Sequence, residues 1–272
     1  MKINKLTTYT CSLITMLSVA IVACKKDVAP YERVIAPPVF PAVIDPSFTE
    51  EFDNVGDLTA KGWVFKNNSF PIGGSGWRQG RYESASVVQY KFLAPVAFIG
   101  FPAYSASSTP NDFVSCDASC SSDAATGTSD ISTWLISPKI SSIKNGDTIS
   151  FYTRAVYDAN YPVYLTDRMQ VRANFSGDGS ANVGSSPTSV GSFTTTLLDI
   201  NSAYANNDPS GYPEDWTKFT IIVSGISGTG SASNARFAFR YLASDAGIFG
   251  GLAGTNYPSV VGVDLLKFST KK

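Results

Sequence analysis

The sequence predicts an all-β protein, a two-sheet antiparallel β-sandwich, and three observations carry that prediction. Apolar residues recur at period two in short runs, as half-buried strands require. Only 16% of the 272 residues are charged, while 12% are aromatic and 22 are glycine, a balance that suits many strands and turns rather than a helical bundle. Turn signals stand between the runs, among them Asn145-Gly146-Asp147 and Ser176-Gly177-Asp178-Gly179.

In chain order, the first stretch lies outside that domain. Lys2 and Lys5 precede an uncharged apolar run, Cys11 to Ala23, that ends in small residues. This is the pattern of a secretory signal, too short and wrongly flanked for a stable membrane span. Cys24 follows at once, and Ile21-Val22-Ala23-Cys24 resembles the lipobox of bacterial lipoproteins, where a membrane diglyceride is attached to the cysteine before cleavage on its N-terminal side. The expected organisation is a signal peptide over 1–23, a lipidated Cys24 with a tether over 24–47, and a sandwich over 48–272. Acyl chains contribute about 0.8 kcal/mol per buried methylene, so two or three would hold the protein at a bilayer without a spanning helix. Pro30, Pro37, Pro38, Pro41 and Pro46 make the tether extended and semi-rigid. Lys25-Lys26-Asp27 resembles the short charged signals that send some Gram-negative lipoproteins outward. The expected location is the outer membrane, with the domain at the cell surface or facing the periplasm.

Within the domain, Phe48–Phe52 is expected as an edge strand and Gly62–Phe65 as a second. The Gly-rich turn Gly73-Gly74-Ser75-Gly76 follows. Residues 84–101 are apolar and β-branched, and the long polar stretch 103–129 reads as a loop. The densest strand signals are Thr133–Ile140, Ile149–Ala155, Asp167–Asn174, Trp216–Val223, Arg236–Leu242 and Val260–Phe268. The last is apolar on both faces, as a central strand should be. Met169, Val171 and Ala173 share one face, and Arg168, Gln170, Arg172 and Asn174 the other. Arg168, Arg172, Arg236 and Arg240 are expected as solvated strand exteriors paired with Asp, although such a face would also suit an acidic glycan.

Composition excludes several chemistries. With no histidine, Ser-His-Asp catalysis, His-ligated zinc and histidine proton shuttles are unavailable. A net charge of −1, made more acidic by loss of the signal, and the lack of any basic block argue against nucleic acid. Acid–base chemistry would fall to carboxylates, yet no Glu-x-Asp-x-Glu alternation occurs and Glu50, Glu51, Glu83 and Glu214 are the only glutamates after the tether. Cys116 and Cys120 remain as a local pair. In an exported protein a disulfide is expected, stapling a loop, with two free thiols as the alternative.

Trp134-Leu135-Ile136-Ser137-Pro138, Asp167-Arg168-Met169-Gln170-Val171-Arg172, Val190-Gly191-Ser192-Phe193, Tyr212-Pro213-Glu214-Asp215-Trp216, Arg236-Phe237-Ala238-Phe239-Arg240-Tyr241 and Gly262-Val263-Asp264 stand in one order along the chain. That ordered set resembles choice-of-anchor J domain proteins, cell-surface proteins of Gram-negative bacteria similar to cleaved adhesin domains and more distantly to MAM domains. The resemblance runs from about Phe48 to Phe268. It implies a jelly-roll sandwich with a binding or adhesive role and no established catalytic residues. It also implies a structural Ca²⁺ where the first strand meets the last, with Asp53 and Asp264 at the matching positions. Leu265 stands where adhesin modules carry a second acid.

For ligand contact the candidates are aromatic, because sugar C–H bonds stack on the electron-rich ring face. Tyr157, Tyr161 and Tyr164 crowd one loop segment, and Tyr104 and Tyr257 sit in others. Trp63, Trp134 and Trp216 lie inside strand patterns and are expected in the core. The function expected is a non-enzymatic surface lipoprotein binding a glycan or an extracellular protein. The alternatives are a carboxylate-based glycan hydrolase on the same frame and a structural subunit of an outer-membrane assembly.

Overall fold

Strands form where the alternation is cleanest. The computed structural model describes residues 47–82, 100–105, 109–122, 128–156, 165–206, 210–247 and 256–271. Cys24, the tether, and Tyr157, Tyr161 and Tyr164 lie outside the described residues. In chain order the strands are β1 (Phe48–Glu50), β2 (Val64–Asn67), β3 (Arg78–Gln79), β4 (Val114–Asp117), β5 (Thr128–Ile136), β6 (Ile140–Lys144), β7 (Thr148–Ala155), β8 (Met169–Asn174), β9 (Thr195–Ile200), β10 (Thr217–Ile222), β11 (Ser231–Gly247) and β12 (Val260–Ser269). Two single-turn 3-10 helices, at Val55–Asp57 and Ala118–Cys120, complete the regular structure among the described residues.

These strands pair into two antiparallel sheets, a jelly-roll sandwich. The first runs β10-β7-β12-β4-β3, with β1 also on β12. The second runs β2-β5-β11-β8-β9, with β6 also on β11. β11 is long enough to carry β5 and β6 end to end along one edge while β8 takes the other. β12 does the same for β4 and β1, and its register on β7 shifts between Asp264 and Lys267, where Leu265 takes φ 45°. A bulge there re-aims the strand between its two edge partners.

The core lies between the inward registers. Phe237, Phe239 and Tyr241 of β11 face Ile149 and Phe151 of β7 and Val261, Val263 and Phe268 of β12, all fully buried. Phe151 meets Phe239 edge-on, with centroids 4.9 Å apart at 78°. Each such side chain contributes roughly 1.5–3 kcal/mol by leaving water. Tyr241 and Tyr212 keep their hydroxyls in this core, donated to Asp167 Oδ1 at 2.6 Å and shared with Thr153 Oγ1 at 2.6 Å. Burial pushes both phenols well above their ordinary range.

Several expectations change. The polar stretch 103–129 contains β4, every residue of which is buried, paired with β12 on one side and β3 on the other. Its polarity is tolerated because each side chain finds a partner: Ser115 Oγ donates to Gln79 O at 3.4 Å, and Asp117 takes the Arg78 guanidinium and the Ser119 N–H. Cys116 and Cys120 are both buried free thiols, so the expected disulfide is not formed. The 3-10 turn between them packs both sulfurs into the core, and burial, then the neighbouring thiol, pushes Cys116 well up. A buried protonated thiol behaves as a small apolar side chain.

The arginines also depart from expectation. Arg168 does pair with Asp199, Nη2 to Oδ2 at 2.7 Å. Arg236 and Arg240, however, are buried beneath the crossing 175–194, which covers the outer face of the second sheet. Arg236 donates to the carbonyls of Gly179, Gly62 and Ser137, and Arg240 to that of Pro187. Val183 and Phe193 pack with Trp134, Ile136 and Ala238 under the same crossing.

Candidate functional site

The outer face of the first sheet takes a different form. Along β7 the buried residues are Ile149, Phe151, Thr153 and Ala155, so Ser150, Tyr152 and Arg154 point outward. On β12, Gly262 pairs with Arg154 and Asp264 with Tyr152, which places both on that outward register. A Cβ at Gly262 would lie 2.6 Å from the Phe101 ring and 3.0 Å from that of Phe113. The bare backbone there lets the two rings sit directly on the sheet.

Asp264 then fixes what lies beside them. Its carboxylate accepts from Tyr104 N at 2.9 Å, Ser105 N at 3.1 Å, Ser105 Oγ at 3.1 Å and Leu265 N at 2.6 Å. Burial nevertheless outweighs these donors and raises its pKa to about 6. Held by that carboxylate, Tyr104 lies flat on Tyr152, with centroids 3.6 Å apart and planes 16° from parallel. Trp216 stands edge-on to Phe101, Phe113 and Tyr104 at 5.4, 5.7 and 6.4 Å, and its Nε1 donates to Pro102 O at 2.8 Å. Lys218 Nζ lies 6.0 Å from the Tyr152 ring, and the Arg154 guanidinium 4.6 Å from that of Phe101. Tyr104 stays 44% exposed. One of its faces is backed by Tyr152, and the Lys218 ammonium beside the stacked pair can meet a hydroxyl group.

Of the residues nominated from sequence, Asp264 is here, but in another role. A carboxylate offers about four lone-pair positions, and four protein donors occupy them. Calcium requires several oxygens still able to turn toward it. Asp53 is exposed, and no group of three or more acidic or thiol side chains is gathered among the described residues. These residues do not fit the implied calcium site. Tyr257 is half-buried, its main chain bracketed by Thr166 through Thr166 N to Tyr257 O at 3.0 Å and Tyr257 N to Thr166 Oγ1 at 2.7 Å. Trp63 and Trp134 are core residues as expected, whereas Trp216 is half-buried on the platform. Tyr152 was legible in principle, since an aromatic on the polar register of a half-buried strand needs a partner outside the core.

Buried carboxylates elsewhere serve the fold. Glu50 accepts from Lys61 at 3.0 Å, Asp147 from the N–H groups of Lys144 and Lys271 at 2.7 Å each, and Asp167 from Tyr241 and from Ser259 N at 2.8 Å. Each is engaged by donors of its own neighbourhood.

A scan against protein-family models gives no match, and a search of curated proteins gives none. Among solved structures the chain is similar to the K1 cleaved adhesin domain of Lys-gingipain from Porphyromonas gingivalis W83, at 17% identity over 83% of this chain and 99% of that one, with a TM-score of 0.42. It is similar to the K3 cleaved adhesin domain of Lys-gingipain from the same organism at 15% identity, over 76% and 98%, with a TM-score of 0.38. A structure of carbohydrate-binding modules from the β-sandwich superfamily is similar at 9% identity, over 81% and 62%, with a TM-score of 0.37. No functional residue is carried over from any of them.

Proposed function

We propose that this chain is an outer-membrane lipoprotein of the choice-of-anchor J type, lipidated at Cys24, whose sandwich binds a neutral glycan without cutting it. The observation that carries the reading is the exposed Tyr104 ring, stacked on Tyr152 and bordered by Trp216 and Lys218 on the outer face of the first sheet. An exposed ring that is held flat loses little freedom on binding, so stacking against a pyranose face is not offset by ordering. Binding rather than hydrolysis is favoured because glycoside cleavage needs two carboxylates flanking one bond, and the buried acids above are held by protein donors. Anchoring rests on the signal and lipobox pattern. Among the described residues, no helix is long and apolar enough to cross a membrane.

A glycan array probed with the full chain in neutral detergent tests the binding reading. Retention of neutral oligosaccharides that is lost in Tyr104→Ala, with no shortening of the bound sugars, is the expected result. Equal retention by both proteins would remove the platform from the account. Labelled palmitate incorporated by the wild type and not by Cys24→Ser tests the anchor.

A further inference from the structure

Three guanidiniums on the outer face of the second sheet are tied together by one amide and one carboxylate. Arg172 Nη1 and Arg240 Nη1 both donate to Gln170 Oε1, at 3.1 and 3.3 Å. Gln170 Nε2 in turn donates to Asp199 Oδ2 at 2.8 Å, the same oxygen that Arg168 Nη2 reaches at 2.7 Å. Two cations thus share a neutral oxygen, and three positive charges stand against one carboxylate. Burial, and then the charge of Arg172, pulls the Arg240 guanidinium down to about 10.

The donors are not exhausted. A guanidinium carries five N–H groups. Arg172 and Arg240 each use three on protein acceptors, and Arg168 uses two on Asp199 and also meets Tyr204. Arg168 and Arg172 are half-buried, and the Arg172 Nη2 bond to Thr194 O lies in an exposed setting. Gln170 and Arg240 lie buried behind them, so Arg168 and Arg172 are the reachable, partly shielded cations, the setting in which charge-assisted, bidentate contacts to an oxyanion are strongest.

We propose that Arg168 and Arg172, linked through Gln170 and backed by the buried Arg240, form a binding site for an acidic sugar, the two half-buried guanidiniums taking its carboxylate. A single compact cluster on a chain of net charge −1 suits one oxyanion rather than a polyanion laid along a basic track. The site lies on the sheet opposite the Tyr104 platform and stands independently of it.

The test titrates the full chain in neutral detergent with glucuronate, inorganic sulfate and glucose at fixed ionic strength, read by calorimetry and by Tm. Glucuronate is expected to bind saturably and raise Tm, and glucose to leave this site empty. Arg172→Gln should weaken glucuronate at least tenfold. Because Arg172 also holds Phe193 O and Thr194 O, a second variant leaves it in place. Thr196 is exposed and pairs with Arg172 across β8 and β9, so Thr196→Glu sets a carboxylate beside the guanidinium and should abolish the response with the fold intact. A Tm response to glucuronate no larger than to chloride, a response to sulfate alone, or full binding by Thr196→Glu would each overturn the acidic-sugar site.

Discussion

The two outer faces of this sandwich start from similar material and end differently. Each carries a tryptophan on its outer side, with Arg154 beside the first and Arg236 and Arg240 beside the second. On the second sheet a crossing of the chain lies over Trp134, and Arg236 and Arg240 hold its carbonyls, so ring and cations are buried. On the first sheet the described covering residues, 100–105, are held by the Asp264 carboxylate and the Trp216 indole, and Tyr104 is left facing solvent. What a face becomes is decided by how the covering backbone is hydrogen-bonded. A buried main chain needs donors for its carbonyls, and arginine supplies several at once.

The largest effect should come from breaking the covered face. Arg236→Met leaves three carbonyls without their donor and should cost on the order of 3 kcal/mol in urea unfolding. A loss below about 1 kcal/mol would mean that the crossing holds without it.

Next comes a difference in pH response, because among the described residues the first face is held by a carboxyl that titrates near neutrality. The Asp264 carboxyl sits near 6 in the folded protein against about 3.9 in an unfolded chain, so the native state binds this proton more tightly. Its contribution is full below pH 4 and is lost as the pH rises through 6, a change of about 3 kcal/mol. Asp264→Asn should flatten the stability profile over that interval. Parallel profiles for the two proteins would contradict the assignment.

Gly262→Ala tests how closely the rings approach the sheet. The new methyl group would crowd Phe101 and Phe113 and should cost about 1–3 kcal/mol, while displacing Trp216 enough to alter its fluorescence. Smallest of all, Tyr104→Ala should change stability by less than about 1 kcal/mol, since the ring is exposed. Its effect belongs to glycan binding, and a large loss of stability would show that the platform is a structural cover like the one on the other sheet.

Much of this was legible along the chain. The registers of β7, β8, β10, β11 and β12 follow from period-two alternation, and β12 proved central, as its two apolar faces require. β4 was hidden because Ser115 and Asp117 give it a loop-like composition, and only their partners make burial tolerable. β9 was hidden because Thr195-Thr196-Leu197-Leu198-Asp199-Ile200 lacks a clean alternation and is shaped by its pairing with β8.

The sequence by itself determined the sandwich, the inward residues of its cleanly alternating strands and the exclusion of histidine chemistry, because periodicity and composition act locally and need no partner. Tertiary structure alone decided that Tyr104 meets Tyr152, that Asp264 grips the backbone of a loop, and that Arg172 and Arg240 share one oxygen. Those contacts join residues far apart in the chain. Their existence depends on which backbone crosses which face, and no local pattern encodes that.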